Sequence, residues 1–397
     1  MKYNLADICE YAKGKVDVAI LDDETYISTE NMIPNKGGIT SASSLPTIAQ
    51  TQAFLAGDVL VSNIRPYFKK IWFAEFDGGC SNDVLVFRAK DGVSKRFLYY
   101  VLADDTFFDY SMATSKGTKM PRGDKAAIMK YEVPDFTYEE QEKIAGILEV
   151  LDRKIQINTE INENLQAQVK ALFHAMFISS ADRFGWENGT FSDLIESTLG
   201  GDWGKESPTG NNTEMVYCIR GADIPEVKAG NKGKMPTRYI LPKNYAAKRL
   251  LPGDIVVEIS GGSPTQSTGR VAAISQSLLD RYDKGMVCTN FCRAIKPKSG
   301  YSMFVYYYWQ YLYDRNVFFS YENGTTGIKN LDLSGFVTTE EIVIPPFELI
   351  QKFDDYCQIV FDQTFANGLE NEQLSNLRDT LLPQLMSGEL DVADLDL

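Results

Sequence analysis

The sequence lacks several features on which common classes of protein depend. It has one histidine, His174, and its six cysteines include no pair separated by two residues, so the usual ligands of a zinc site are missing. It has no apolar run of about 18 residues, and its first residues lack the apolar stretch of a secretory signal. We therefore expect a cytoplasmic protein that does not enter a membrane and whose cysteines are buried and reduced.

Motifs of enzymes that modify or cut DNA are also missing. An adenine methyltransferase needs Asn or Asp before Pro-Pro-Tyr/Phe to hold the amine of a flipped base, whereas residues 344–347 read Ile-Pro-Pro-Phe. There is no phosphate-binding P-loop. The acids at 223 and 226, before Lys228, are too close together for the usual spacing of a nuclease site. We therefore predict a chain that is not an enzyme and that binds no cofactor or metal itself.

The net charge of −14 is unevenly distributed along the chain. Residues 1–133 contain 16 basic and 17 acidic residues, and residues 190–343 contain 17 and 16. Residues 134–189 and 344–397 carry net charges of −5 and −9. The two nearly neutral regions can each have a basic face that binds nucleic acid, while the two acidic segments suit a protein partner and would repel phosphates.

The same series of motifs occurs twice, about 200 residues apart. Leu-Ala-Gly-Asp-Val-Leu-Val at residues 55–61 corresponds to Leu-Pro-Gly-Asp-Ile-Val-Val at residues 251–257. Three further pieces recur in the same order: residues 80–82 as 288–290, 117–118 as 324–325, and 133–136 as 344–347. Each copy combines short β-branched or aromatic runs with one aromatic helical pattern, Lys95–Tyr110 and Ser302–Asn316. The sequence thus predicts a tandem of two mixed α+β domains.

Each copy is followed by a long helical pattern with a heptad seam. The seam positions alternate in steps of four and three, and the second seam follows the first at a constant offset of 209 residues. The positions are Ile144, Leu148, Leu151, Ile155, Asn158, Asn162, Leu165, Val169, Leu172 and Met176 in the first, and Phe353, Cys357, Val360, Thr364, Asn367, Asn371, Leu374, Arg378, Leu381 and Leu385 in the second.

Four asparagines interrupt the apolar seams near their centres. If the helices pair antiparallel, Asn158 lies opposite Asn371 and Asn162 lies opposite Asn367. A buried amide is costly unless it is hydrogen-bonded, so such a layer would fix the register of the helix pair. The alternative is that the asparagines face solvent on simple amphipathic helices.

These pieces together resemble the specificity subunit of Type I restriction–modification enzymes over nearly the whole chain. The resemblance rests on the Gly-Asp strand motifs, on the loops before the last strand, and on the two long helices with their Pro-containing starts. The matching residues are 57–60, 117–122, 133–144 and 161–165 in the first copy, and 253–256, 324–331, 344–347 and 377–390 in the second. Residues 349–351 read Leu-Ile-Gln where the family usually shows Glu-Gln, which weakens one contact at the helix start.

The resemblance implies an α+β architecture in which two mixed α/β target recognition domains, related by a pseudo-twofold axis, are joined by two long helices that form an antiparallel coiled coil. The predicted segments are domain 1 (residues 1–133), helix 1 (134–180), domain 2 (181–343), helix 2 (344–390) and an acidic tail (391–397).

The resemblance also implies a function and a set of partners. Each domain would read one half of a bipartite site in double-stranded DNA, and the helices would set the spacer between the halves. Two methyltransferase subunits would bind along the helices, and restriction subunits would join the full complex. S-adenosylmethionine, ATP and Mg²⁺ are then expected only in those partners.

Loops near the strands supply cations for phosphates and polar groups for base edges. The predicted DNA-binding residues of the first domain are Arg65, Tyr67, Lys69, Lys70, Lys116, Lys119, Arg122 and Lys125. Those of the second are Arg220, Lys232, Lys234, Arg238, Ser263, Gln266, Arg270 and Lys329. The first set is basic and the loop at 260–269 is polar and uncharged, so we expect two different half-sites.

Two other functions remain open. A coiled-coil scaffold without a role on DNA would also use paired helices, and a self-sufficient DNA methyltransferase or nuclease would need motifs that the sequence does not contain. Neither the base sequence that is read nor the length of the spacer follows from the sequence.

Overall fold

The computed structural model describes residues 2–261, 265–324 and 328–392. The chain forms two compact units, residues 1–154 with 374–397, and residues 155–373. Residues of both long helices are divided between the two units, and each unit contains its own hydrophobic core. The mixed α and β composition expected from the sequence is confirmed.

In its described residues, the first unit contains two four-stranded sheets and one two-stranded sheet. The first four-stranded sheet is antiparallel, with the strand order Cys9–Tyr11, Val84–Ala89, Val59–Ser62 and Ile71–Phe73. The other has the order Lys15–Asp17, Gln50–Phe54, Gly78–Cys80 and Tyr26–Ile27, and its last two strands are parallel. The two-stranded sheet pairs Lys2–Asn4 with Glu132–Pro134.

The α-helices of the first unit, besides its parts of the long helices, are Leu5–Ile8, Lys95–Ala103, Asp105–Ala113 and Lys125–Ile128. The sequence predicts one helix over Lys95–Tyr110, and this is wrong, because the chain is extended at Asp104. The Asp104 carboxylate accepts a hydrogen bond from the backbone N–H of Thr106 (2.7 Å) and so starts a second helix.

The second unit repeats the four-stranded antiparallel sheet and the two-stranded sheet and differs in its other sheets. Its four-stranded antiparallel sheet has the order Ile195–Gly200, Cys292–Pro297, Ile255–Glu258 and Val271–Ala273. Its three-stranded sheets are Thr237–Ile240, Glu214–Ile219 and Met286–Cys288, and Ser260–Gly261, Lys329–Leu331 and Glu322–Asn323. Glu187–Thr190 pairs with Glu341–Ile344, as Lys2–Asn4 pairs with Glu132–Pro134 in the first unit.

The α-helices of the second unit are Phe191–Leu194, Ile224–Lys228, Pro242–Lys248, Gln276–Leu279, Ser302–Asp314 and Leu333–Thr339. The aromatic helix Ser302–Asp314 is buried along most of its length, with Trp309 fully enclosed among Phe191, Phe318 and Phe336. This aromatic cluster forms the largest core of the unit.

The repeated Gly-Asp motif forms the same turn in both units, which we name the Gly-Asp corner (residues 55–58 and 251–254). The carboxylate of Asp58 accepts the backbone N–H of Leu55 at 2.8 Å, and that of Asp254 accepts the N–H of Leu251 at the same distance. Each aspartate also pairs with a cation on the neighbouring strand, Arg88 (2.6 Å) or Lys296 (2.7 Å). The glycine is required because its φ is +92° or +91°, a left-handed conformation.

The long helices span Tyr138–Phe173 and Phe347–Ser387. The first begins later than the predicted 134 because residues 132–134 form a strand, and it starts where Thr137 and Glu140 exchange hydrogen bonds in a capping box. A single turn of π-helix, His174–Ile178, follows it. The second helix contains Pro383 and continues to Ser387.

All twenty predicted seam positions are buried or half-buried. Within the first unit, Ile144 and Leu148 share a core with Leu382 and Leu385. Within the second unit, Val169 and Phe173 share a core with Phe353, Cys357 and Val360. In the first unit the beginning of the first helix packs with the end of the second, and in the second unit the end of the first helix packs with the beginning of the second, so the helix segments pack antiparallel within each unit.

The six cysteines are all described, all buried and not joined by disulfides. Burial raises the pKa of the Cys9 and Cys80 thiols to about 12. Across the described ranges, no helix combines the length and the hydropathy needed to cross a membrane.

Candidate nucleic-acid interface

In the first unit, two loops that the sequence identified as basic lie side by side. The backbone N–H of Arg65 donates to the carbonyl of Pro121 (2.8 Å), and Ile64 and Arg122 form an antiparallel bridge. A second bridge between Lys116 and Arg122 closes the loop that carries Lys119. Residues more than 50 positions apart thus form one surface, which is the arrangement that phosphate binding needs.

The exposed cations of this surface differ in how they are paired. Lys116 binds Asp124 at 2.6 Å, and this ion pair raises the pKa of Lys116. Arg122 binds Asp83 at 3.1 Å and remains 55% exposed. Lys119 is exposed and forms no ion pair with a described residue. Ion pairs at such exposed positions contribute little stability, so these cations can exchange their carboxylates for phosphates at small cost.

The other predicted residues of the first unit are placed around these loops. Tyr67 is exposed and its ring lies 4.7 Å from that of Phe68, while Lys125 is exposed with its ammonium 5.9 Å from the ring of Tyr11. Lys70 points inward, donates to the carbonyl of Thr29 (2.6 Å), and has its pKa lowered by burial. Lys70 is therefore part of the loop's own structure.

Sequence reasoning missed Lys36, which lies beside the predicted residue Lys69. The backbone N–H of Lys36 donates to the carbonyl of Lys69 (2.9 Å), and the side chains of both lysines bind Asp105, at 2.9 and 2.7 Å. Residues 35–36 and 69 all have positive φ, which no side-chain pattern signals. Only the folded loop brings Lys36 beside Lys69.

In the second unit, several predicted cations are engaged with carboxylates of the same unit. Arg270 binds Glu258 through two hydrogen bonds (2.8 and 2.7 Å), which raise its pKa. Arg220 binds Asp223 in the same bidentate way, at 2.9 and 3.0 Å. Lys329 binds the buried Glu322 at 2.8 Å. The ion pairs of Arg270, Arg220 and Lys329 stabilise the loops that carry them, so the second unit presents less uncompensated positive charge than the sequence suggests.

The remaining predicted residues of this unit are more varied. Arg238 lies 3.9 Å from the Trp203 ring and binds Glu206 at 3.0 Å, and Lys232 lies 5.0 Å from the Tyr282 ring. Lys234 is exposed, and Gln266 is exposed on the polar loop. Ser263 lies outside the described residues.

The corresponding loop ends of the two units share one backbone pattern, which we name the loop corner (residues 63–65, 83 and 116–123 in the first unit; 259–261, 291 and 328–331 in the second). In the first unit, the backbone N–H of Asn63 donates to the backbone carbonyl of Asp83 (2.8 Å), and the backbone carbonyl of Asn63 accepts the N–H of Gly123 (3.2 Å). In the second unit, the backbone N–H of Ile259 donates to the carbonyl of Phe291, and the carbonyl of Ile259 accepts the N–H of Leu331, both at 2.9 Å. Each corner continues the strand that begins at the Gly-Asp corner.

The asparagines of the helix seams face each other within the second unit. Asn158 Nδ2 donates to Asn371 Oδ1 (2.9 Å), and Asn367 Nδ2 donates to Asn162 Oδ1 (2.8 Å). Asn162 Nδ2 also donates to the carbonyls of Thr364 (3.0 Å) and Ala229 (3.2 Å). Asn162 therefore connects both helices to a loop of the globular part of the unit.

Comparisons with known proteins identify one family of similar proteins. The family model described as the Type I restriction modification DNA specificity domain matches residues 1–167. The resemblance predicted from the repeated motifs is thereby confirmed.

Relatives of this domain family match more of the chain. The chain is similar to the HindI specificity subunit of Haemophilus influenzae, with 23% identity over 483 aligned positions that cover 98% of this chain and 99% of that protein. It is 25% identical to the MjaIX specificity subunit of Methanocaldococcus jannaschii over 77% of this chain and 71% of that one. A crystal structure of a Type I restriction–modification S subunit from M. genitalium has a TM-score of 0.55 at 16% identity, covering 97% of this chain and 96% of that one, and thus shares its fold.

Proposed function

We propose that this chain is the DNA-recognition subunit of a Type I restriction–modification system. Two target recognition domains, at residues 1–133 and 181–343, each read one half of a bipartite site in double-stranded DNA, and the two long helices join them as an antiparallel coiled coil. The single observation that carries the proposal is the loop corner, which the two units repeat in backbone and vary in side chains.

A repeated backbone with varied side chains suits a reader of two different sequences. In the first unit the corner carries Lys116, Lys119 and Arg122, of which arginine is the usual partner of guanine O6 and N7. In the second unit the equivalent positions carry polar and apolar residues. The target is therefore asymmetric, and a palindromic recognition motif contradicts this part of the proposal.

The first experiment measures DNA binding by the full chain as a function of salt. Affinity should fall steeply as the salt concentration rises, because each neutralised phosphate releases counterions. A coiled-coil scaffold without a role on DNA predicts no such binding, so the absence of salt-dependent affinity, with or without partner subunits, rejects the proposal.

A pair of lysine variants locates the surface. Lys119→Ala removes an exposed cation of the loop corner, and the slope of log affinity against log salt should decrease by about one if Lys119 binds a phosphate. Lys95→Ala is the matched control, because Lys95 is also exposed but lies against Gly57 at the other end of the same strand. Equal effects of the two variants would mean that DNA does not bind at the loop corner.

We further propose that the helices set the spacer between the half-sites and bind two methyltransferase subunits, with restriction subunits in the full cytoplasmic complex. Both segments that contain the helices are acidic, which favours protein partners over DNA. Inserting one heptad into each helix keeps the seam and should lengthen the spacer of the methylated motif. An unchanged spacer contradicts a role of the helices as a ruler.

In this proposal the partner subunits supply catalysis and bind S-adenosylmethionine, ATP and Mg²⁺. Purified chain incubated with target DNA and S-adenosylmethionine should transfer no methyl group until a methyltransferase subunit is added. Methyl transfer by the chain alone would support the alternative of a self-sufficient enzyme.

A further inference from the structure

The loop corners of the two units contain the same short turn with opposite chemistry at its end. The hydroxyl of Ser81 accepts the backbone N–H of Asp83, and the hydroxyl of Thr289 accepts the N–H of Phe291, both at 3.2 Å. The backbone carbonyl of Asp83 accepts the N–H of Asn63, and that of Phe291 accepts the N–H of the equivalent residue Ile259. Asp83 and Phe291 therefore occupy the same position in the two copies.

The side chains at this position face different surroundings. Asp83 binds the exposed Arg122 of the neighbouring loop. Phe291 is 61% exposed, and the neighbouring loop of its unit carries Ile328, which is also 61% exposed. A single exposed apolar residue is common on proteins. Phe291 and Ile328 are two such residues, and they lie on the two loops that hydrogen-bond to Ile259. In the first unit the corresponding loops are joined by the ion pair of Asp83 with Arg122. The two exposed apolar residues indicate a surface that covers apolar groups of a ligand.

The surroundings of these residues suit a polar ligand with isolated apolar groups. Ser260 and Asn330, the strand residues that follow Ile259 and precede Leu331, pair with each other and carry a hydroxyl and an amide. The major groove of DNA presents such a surface, because the C5-methyl group of thymine stands among hydrogen-bonding base edges.

We propose that Phe291, whose neighbouring loop carries the exposed Ile328, reads the C5-methyl group of a thymine in the half-site bound by the second unit. This inference rests on the proposed DNA-recognition function and adds one base type to it. At the position of Phe291 the first unit carries Asp83, which binds Arg122, so a charged pair faces its half-site there, while its neighbouring loop carries the exposed Met120.

The test uses duplexes that the full chain selects from a random library. Each thymine of the selected motif is replaced in turn by uracil, which removes the methyl group and keeps the base pairing. Uracil at one or two positions of a single half-site should weaken binding about fourfold, the factor that corresponds to the burial of one methyl-sized group. In Phe291→Ala the same replacement should have no effect.

Controls separate the inference from the underlying function. Phe184→Ala removes an almost fully exposed phenylalanine elsewhere in the second unit and should keep the full uracil penalty. Phe291→Leu should retain part of it, which shows that the variant protein is folded. Failure of the chain to select any motif overturns the proposed function. A selected motif without uracil sensitivity, or a uracil penalty that persists in Phe291→Ala, overturns only the inference about thymine.

Discussion

Replacement of Asn162 by leucine tests whether the amide layer holds the helix pair in register. Three hydrogen bonds disappear, to Asn367 and to the carbonyls of Thr364 and Ala229. At about 1 kcal/mol each, their loss lowers the free energy of unfolding of the second unit by roughly 3 kcal/mol. Leaving Asn367 Nδ2 buried without its acceptor adds to this loss, and the apolar surface of leucine offsets part of it.

The double variant Asn162→Leu/Asn367→Leu tests whether the two asparagines stabilise the second unit as a coupled pair. It removes both amides and leaves an apolar layer, so it should be less destabilised than the sum of the two single variants, by about 1–3 kcal/mol. Asn164→Leu is the matched control, because Asn164 is exposed on the same helix and should change stability by less than about 0.5 kcal/mol.

Hydrogen exchange in increasing urea measures these effects on the helix segments 155–173 and 347–373 separately from residues 1–154. Additive costs of the two single variants would refute the idea of one coupled layer. An effect of Asn164→Leu equal to that of Asn162→Leu would show that any leucine on this helix destabilises it, and the register role would be lost.

Three further predictions follow from close contacts and buried charges. Gly368→Ala should loosen the second unit, because the added Cβ would meet the backbone oxygen of Gly230; urea unfolding should then show a loss of at least about 1 kcal/mol, and unchanged stability would disprove the close approach. Lys228→Met should stabilise this unit at pH 7, because burial, with the nearby Lys170, lowers the pKa of Lys228 to about 8 from 10.5. Between pH 8 and 10.5 the unfolded chain keeps a proton on Lys228 that the folded chain has lost, so the free energy of unfolding of the unmodified protein rises with pH over this range. The difference in free energy of unfolding between Lys228→Met and the unmodified protein should therefore narrow from pH 8 to 10.5, and a constant difference contradicts this. Asp254→Asn should lower the melting temperature, because Lys296 loses its buried partner, and no change would mean that the Gly-Asp corner needs only its glycine.

The sequence predicted the helix seams well because a heptad pattern is local and repeats many times. The partner of each asparagine could also be predicted, because the two seams have a constant offset. An antiparallel pair then has one register that places Asn162 opposite Asn367. The break at Asp104 was not predictable in the same way, because the aromatic pattern continues across it.

The charged loops were harder to predict than the helices. The sequence showed where the cations are, and it did not show that Arg270 and Lys329 bind buried carboxylates or that Lys70 points inward. Such pairings depend on side-chain directions that only the folded loops determine. Lys36 was missed for the same reason, because left-handed backbone at non-glycine residues brings it beside Lys69.

The position of the Gly-Asp corner has a consequence for engineering. In each unit it anchors one end of the central strand through Asp58 or Asp254, and the variable loops leave from the opposite end. The scaffold's anchoring bonds are therefore independent of whatever side chains the far loops display. Loops transplanted from a relative, cut at the strand ends, should then change the DNA motif while the melting temperature of the recipient stays nearly constant.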